Sequence, residues 1–145
     1  MTDDLLYRRE LLRLAADAAG AGHLPAPDAS GSAHNPACGD RVTVELMLEG
    51  GRIAALAHQT QACILTQASA AVLAEAGAGL DQAGLARLAA GLKTMLAGGP
   101  APSPAYAVFE AFPGHPGRHA CVLLPLEAAL KALESPEPRT AGTKG

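Results

Sequence analysis

Arg41-Val42-Thr43-Val44-Glu45-Leu46-Met47-Leu48-Glu49-Gly50-Gly51-Arg52 carries the clearest alternation in the chain. Val42, Val44, Leu46 and Leu48 fall on one side of an extended backbone, with Arg41, Thr43 and Glu49 on the other, the mark of a half-buried strand. Gly50-Gly51 supplies a tight turn, and a second strand runs from Arg52 to about Gln61. Strands joined in this way pair antiparallel, which brings the residues before the first and after the second to the same end. Those flanking positions carry two of the chain's three cysteines, Cys38 and Cys63.

Upstream of the hairpin stands His34-Asn35-Pro36-Ala37-Cys38-Gly39-Asp40. A thiol with Pro two residues before it, Gly after it and Asp two beyond lies on a sharp loop, with a carboxylate near enough to share one cation. Cys63, in Gln61-Ala62-Cys63-Ile64-Leu65-Thr66, and Cys121, in Arg118-His119-Ala120-Cys121-Val122, complete a set of three thiols and one Asp. Four such groups suit a soft metal ion. The bland alternatives stay open at this point: a lone Cys also serves as a small buried hydrophobe, and Asp40 also serves as a turn cap.

Outward from the hairpin the pattern turns helical. Leu5, Leu11, Leu12, Leu14, Ala15 and Ala18 recur at helical spacing after Asp3-Asp4, until Gly20 and Gly22 stop them. The polar stretch from His23 to Ala33 reads as a loop. Ile64 to Ala76 is a second helix, and Asp81 caps a third whose Leu85, Leu88, Leu92 and Leu96 form an apolar stripe. Phe109 and Phe112 are expected to pack down the Gly/Pro-rich loop around Gly98-Gly99-Pro100. A last helix is expected from about Val122 to Leu133, because Pro125 is tolerated best in a first turn. That places Cys121 at its N-terminus, where the helix dipole would favour a thiolate. The expected fold is therefore α+β: a small antiparallel sheet of about three strands, built on the hairpin, against four to five helices. Residues 1–134 form one domain, and 135–145 form a polar tail without periodicity, expected to be disordered.

Composition removes several function classes. Eleven Lys plus Arg against fourteen Asp plus Glu, with no basic run, leave no electrostatic footprint for nucleic acid or a membrane surface. No apolar stretch approaches the length of a membrane span, and the opening Asp3-Asp4 does not resemble a secretion signal. An odd count of three cysteines suits a reducing compartment, so the expected location is cytoplasmic.

The Asn35-Pro36-Ala37-Cys38-Gly39-Asp40 loop, the hairpin after it, Cys63 running into Ala68-Ser69-Ala70, and a third Cys opening a C-terminal helix resemble the IscU, SufU and NifU N-terminal iron–sulfur cluster assembly scaffolds. The resemblance covers about residues 5–134 and is closer to SufU. Cys63 and Cys121 stand further apart than in the IscU type, and Arg118 precedes Cys121 by three where IscU-like members carry a Lys and an adjacent His. Gly114-His115-Pro116-Gly117-Arg118 replaces the chaperone-recognition segment of IscU, so an Hsp70-type chaperone is not an expected partner. The chain also departs from the family pattern at Ala62, where a Gly is usual, at Ile64, Leu65 and Thr66, where small polar residues are usual, and at His58, where a buried aromatic is usual.

The resemblance implies a scaffold rather than an enzyme. Cys38, Asp40, Cys63 and Cys121 would hold a transient [2Fe-2S] cluster, Asp40 making an oxygen-ligated, labile corner, in partnership with a cysteine desulfurase and with apo iron–sulfur proteins or downstream carriers. A second reading keeps the same four residues on Zn²⁺, with one thiolate leaving the metal to accept persulfide sulfur. Thiolate ligands serve both metals, so the sequence does not separate them. A third reading, a Cys-nucleophile hydrolase with His115 or His119 as base, lacks a group to orient that base. Arg118 would lie beside the metal, paired with Asp40 or a thiolate; His119 is either an extra ligand or a hydrogen-bonded surface residue. His23, His34 and His58 read as structural.

Overall fold

The computed structural model describes residues 2–36, 39–111 and 116–134. Helix α1 spans Thr2–Asp17, followed by strands β1 (Ala29–Asn35), β2 (Asp40–Glu49) and β3 (Arg52–Gln61). Then come α2 (Ile64–Ala76), α3 (Gln82–Leu96), a 3₁₀ segment (Pro104–Ala111) and α4 (Pro116–Glu134). The strands form one antiparallel sheet in the order β1-β2-β3, so the α+β architecture expected from the sequence is the one observed.

The alternation in β2 sets the faces of the sheet. Val42, Val44 and Leu46 are fully buried, while Arg41 and Glu49 are exposed. The hairpin pairs Arg41 with Gln61 and Glu49 with Arg52, with an irregularity between Met47 and Leu48. Asp40 shares the inward parity of Val42 and lies at the end of that row, itself buried. A strand that alternates thus delivers a carboxylate to the helix-covered face.

The helices cover that face. α4 packs across β1 and β2, α2 fits between α1, α4 and β3, and α3 lies along α4. α2 is buried almost all round, with Leu65, Ala68, Ala70, Ala71, Val72 and Leu73 in the core. α3 starts as its sequence foretells, the Asp81 carboxylate accepting from Gly84 N at 2.8 Å. Phe109 is fully buried within the 3₁₀ segment, as expected; Phe112 lies outside the described residues. So does the 135–145 tail. Among the described residues no helix is long and apolar enough to cross a membrane.

Two readings are corrected. Part of the loop expected over His23–Ala33 is strand: Ala29–Asn35 pairs with β2, Ala29 opposite Leu46 and Asn35 opposite Asp40. Its inward residues are small because α4 presses on them. A Cβ placed on Gly31 would lie 3.0 Å from the Ala132 Cα, and nearer still to the Ala128 carbonyl oxygen and Ala132 N. The second correction concerns α4, which begins at Pro116 and carries Pro125 in its interior. Proline removes the hydrogen bond to the carbonyl four residues back, that of Cys121. The neighbouring Val122 carbonyl accepts from the buried Ser69 hydroxyl of α2 at 2.6 Å. That bond ties α4 to α2 one residue beyond the carbonyl that Pro125 leaves without its helical donor.

Candidate metal centre

Three elements converge at the open end of the hairpin. Asp40 starts β2, Cys63 is the N-cap residue of α2, and Cys121 lies in the second turn of α4. The Cys63 cap backbone is extended and its side chain makes no capping bond, which leaves the thiol available to the centre. One ligand atom from each of Asp40, Cys63 and Cys121 can be chosen so that all lie within 4.8 Å of one another. Cys38 is outside the described residues, so three of the four expected ligands are placed, and these three do come together.

Asp40 is the hub. Its Oδ1 accepts from the Cys63 backbone N–H at 3.3 Å, and its Oδ2 accepts from the Thr66 hydroxyl at 3.2 Å and the Cys121 thiol at 3.6 Å. Thr66 Oγ1 also lies 3.4 Å from Cys63 Sγ. Asp40 and Cys121 are buried and Cys63 is exposed, so of the two described thiols that of Cys63 is the accessible one.

Cys121 corrects an expectation. The sequence pattern puts this thiol at a helix N-terminus, where the dipole lowers a thiol pKa, but α4 begins five residues earlier. Burial, then the hydrogen bond and charge of Cys63, push the Cys121 thiol up to about 12. A thiolate there needs a cation to form at neutral pH, because desolvation penalises the bare charge.

The donor set fits such a cation. Tetrahedral thiolate coordination at about 2.3 Å puts ligand atoms about 3.8 Å apart, within the span of these three.

The described histidines are not among this donor group. His58 Nε2 donates to the Ala19 carbonyl at 2.9 Å, and Nδ1 meets Thr60 Oγ1 at 2.8 Å. Burial holds its pKa below the ordinary value. His23 contacts Glu45 Oε2 at 2.9 Å, and His34 is exposed. His119 is half-buried, and the described group of metal-capable donors does not include it. A residue two positions from Cys121 on a helix does not share its face. His115 and the Arg118 side chain are outside the described residues. Thr66 is the participant that sequence reasoning missed; its spacing of three from Cys63, across a helix start, was the available signal.

A small α+β domain with two thiols and a carboxylate gathered at one end of a hairpin has the donor set of a candidate thiolate-rich cation site. The NifU-like N-terminal domain model matches residues 6–95, more than half of the chain. The crystal structure of a nitrogen-fixing NifU-like protein (N-terminal) from Brucella abortus is 32% identical, covering 88% of this chain and 92% of its own, at a TM-score of 0.79. The protein therefore belongs to the NifU-like N-terminal domain family. The same fold recurs in a hypothetical protein at TM-score 0.82 and 20% identity, with 91% and 99% of the two chains covered. It recurs again in a putative iron–sulfur cluster assembly scaffold protein for the SUF system from Fervidobacterium islandicum AW-1, at TM-score 0.77 and 21% identity, covering 86% and 93%. No curated protein gives a significant match.

Proposed function

We propose that this protein is an iron–sulfur cluster assembly scaffold and sulfur acceptor that works with a cysteine desulfurase and passes its product to apo iron–sulfur proteins or carriers. Cys38, Asp40, Cys63 and Cys121 are the ligands; the protein is a carrier and not an enzyme. The observation that carries this reading is the convergence of Asp40, Cys63 and Cys121 within 4.8 Å, from three elements spread over much of the chain. Family membership supports it. Burial of Asp40 and Cys121 shields part of the centre from water, and the exposed Cys63 leaves a thiol that a partner can reach. An oxygen ligand among thiolates gives the centre a displaceable corner, which suits a cargo that must leave.

One observation favours a second reading, a zinc-dependent sulfur-transfer partner of the SufU kind. Donor atoms this close suit a single tetrahedral ion, whereas the protein ligands of a [2Fe-2S] cluster are divided between two irons. When bound, Zn²⁺ would hold the thiols as thiolates. A freed thiolate then attacks the outer sulfur of the desulfurase persulfide, and the desulfurase thiolate leaves.

Metal analysis and an absorbance spectrum of protein purified without oxygen test both. Iron, acid-labile sulfide and visible charge-transfer bands support the scaffold; one zinc per chain and a colourless protein support sulfur transfer. Neither metal, or a metal retained by Cys63→Ser and Cys121→Ser alike, overturns the site.

A further inference from the structure

The Thr66 hydroxyl has no part in the ligand set, yet it is buried and donates to the Asp40 carboxylate at 3.2 Å. We infer that Thr66 is the positioning residue of this centre, its hydroxyl holding the Asp40 carboxylate in the orientation from which it ligates. The inference rests on the ligand reading above. Among the described residues, donors that meet Asp40 include the Cys63 N–H at 3.3 Å, the Thr66 hydroxyl at 3.2 Å and the Cys121 thiol at 3.6 Å. Ligation alters this set, because a Cys121 bound to metal has lost the proton it donates. The Cys63 N–H bond is the longer of the two N–H and O–H bonds and only part-buried, on a residue that is itself exposed. Thr66 is fully buried, so its hydroxyl has no water to turn to, and its donation to Oδ2 persists when metal is bound.

The local structure keeps that donor in place. Thr66 lies in the first turn of α2, three residues beyond the Cys63 cap, and a β-branched side chain in a helix is restricted at χ1. Its hydroxyl has a single proton. While that proton is donated to Asp40, the Cys63 sulfur at 3.4 Å meets only oxygen lone pairs, so the carboxylate is restrained and the exposed thiolate is not. A group that orients a ligand in this way sets metal affinity, typically by 10- to 100-fold.

The test compares Thr66→Ser with Thr66→Ala, which differ by one oxygen, so any effect of the lost methyl cancels between them. Each variant is loaded with zinc, and the rate of zinc release to a chromophoric chelator is measured, with urea melts of the apo forms alongside. Thr66→Ser is expected within about threefold of wild type, and Thr66→Ala about 10-fold faster or more. In an Asp40→Ala background the Ser/Ala difference should collapse to about twofold or less, since the hydroxyl acts through the carboxylate. Equal release by the two variants overturns the inference, as does a difference that persists without Asp40. Zinc binding that is indifferent to Cys121→Ser would instead overturn the ligand reading, so the two failures are distinguishable.

Discussion

Gly31→Ala places one methyl group where α4 rests on β1, and its effect should reach the metal centre. The new Cβ would lie 3.0 Å from the Ala132 Cα, and nearer to the Ala128 carbonyl oxygen and Ala132 N, whereas ordinary contact begins at 3.4 Å. All three obstacles are helix backbone, which has no rotamer to change, so α4 itself must retreat by more than half an ångström and by about 1 Å for ordinary contact. Overpacking of this kind costs about 1–3 kcal/mol. Cys121 lies seven residues before Ala128 on the same helix, about 10 Å along its axis, and moves with it. Metal–ligand distances tolerate about 0.2 Å, so a shift of that size reaches the thiol as lost affinity. Urea denaturation of the apo protein and zinc competition with a chelator, run on wild type and Gly31→Ala, measure both effects. A stability change under about 0.5 kcal/mol, the size of an ordinary surface substitution, would refute the packing argument. A clear destabilisation with unchanged zinc affinity would refute the coupling of α4 position to the site.

Further outcomes follow from the same contacts. Zinc at a hundredfold excess over its dissociation constant should stabilise wild type by about 2.7 kcal/mol and raise Tm by about 5–11 °C, and chelator should reverse this in wild type but find nothing to reverse in Cys121→Ser. Ser69→Ala removes the buried donor to the Val122 carbonyl and should cost about 1–2 kcal/mol in urea melts, with α-helical content retained. His58 is held neutral by burial, so its folded pKa lies below the unfolded value of about 6.5. The unfolded chain then binds a proton that the folded one does not, and stability should fall as pH drops below about 6.5, by at most about 1.4 kcal/mol per pH unit. His58→Gln should flatten that slope; an unchanged slope would assign it to another group.

The legible parts of the chain were those whose signal is local. Val42, Val44, Leu46 and Gly50-Gly51 announce the hairpin, and Asp81 with the leucines after it announces α3. β1 was illegible because its inward positions, Ala29, Gly31 and Ala33, are small to admit a helix that arrives about a hundred residues later. Nothing near Gly31 in sequence records that approach. The start of α4 was misplaced because Pro125 reads locally as a first-turn residue, while the packing of α4 on β1, β2 and α2 that holds the longer helix belongs to tertiary structure. In the site, the meeting of Asp40 with Cys63 follows from antiparallel pairing. Cys121 joins them only through helix packing, and the Asp40 contact of Thr66 required the side chains of two elements to be seen together.

The central claim is that three cysteines and one carboxylate form one metal centre, and the zinc-edge X-ray absorption spectrum of protein loaded with one equivalent of zinc tests it most directly. The account predicts a first shell of three sulfurs at about 2.3 Å and one oxygen at about 2.0–2.2 Å, losing one sulfur in Cys63→Ser and in Cys121→Ser. A shell of nitrogen and oxygen alone, or one that those substitutions leave unchanged, would contradict it.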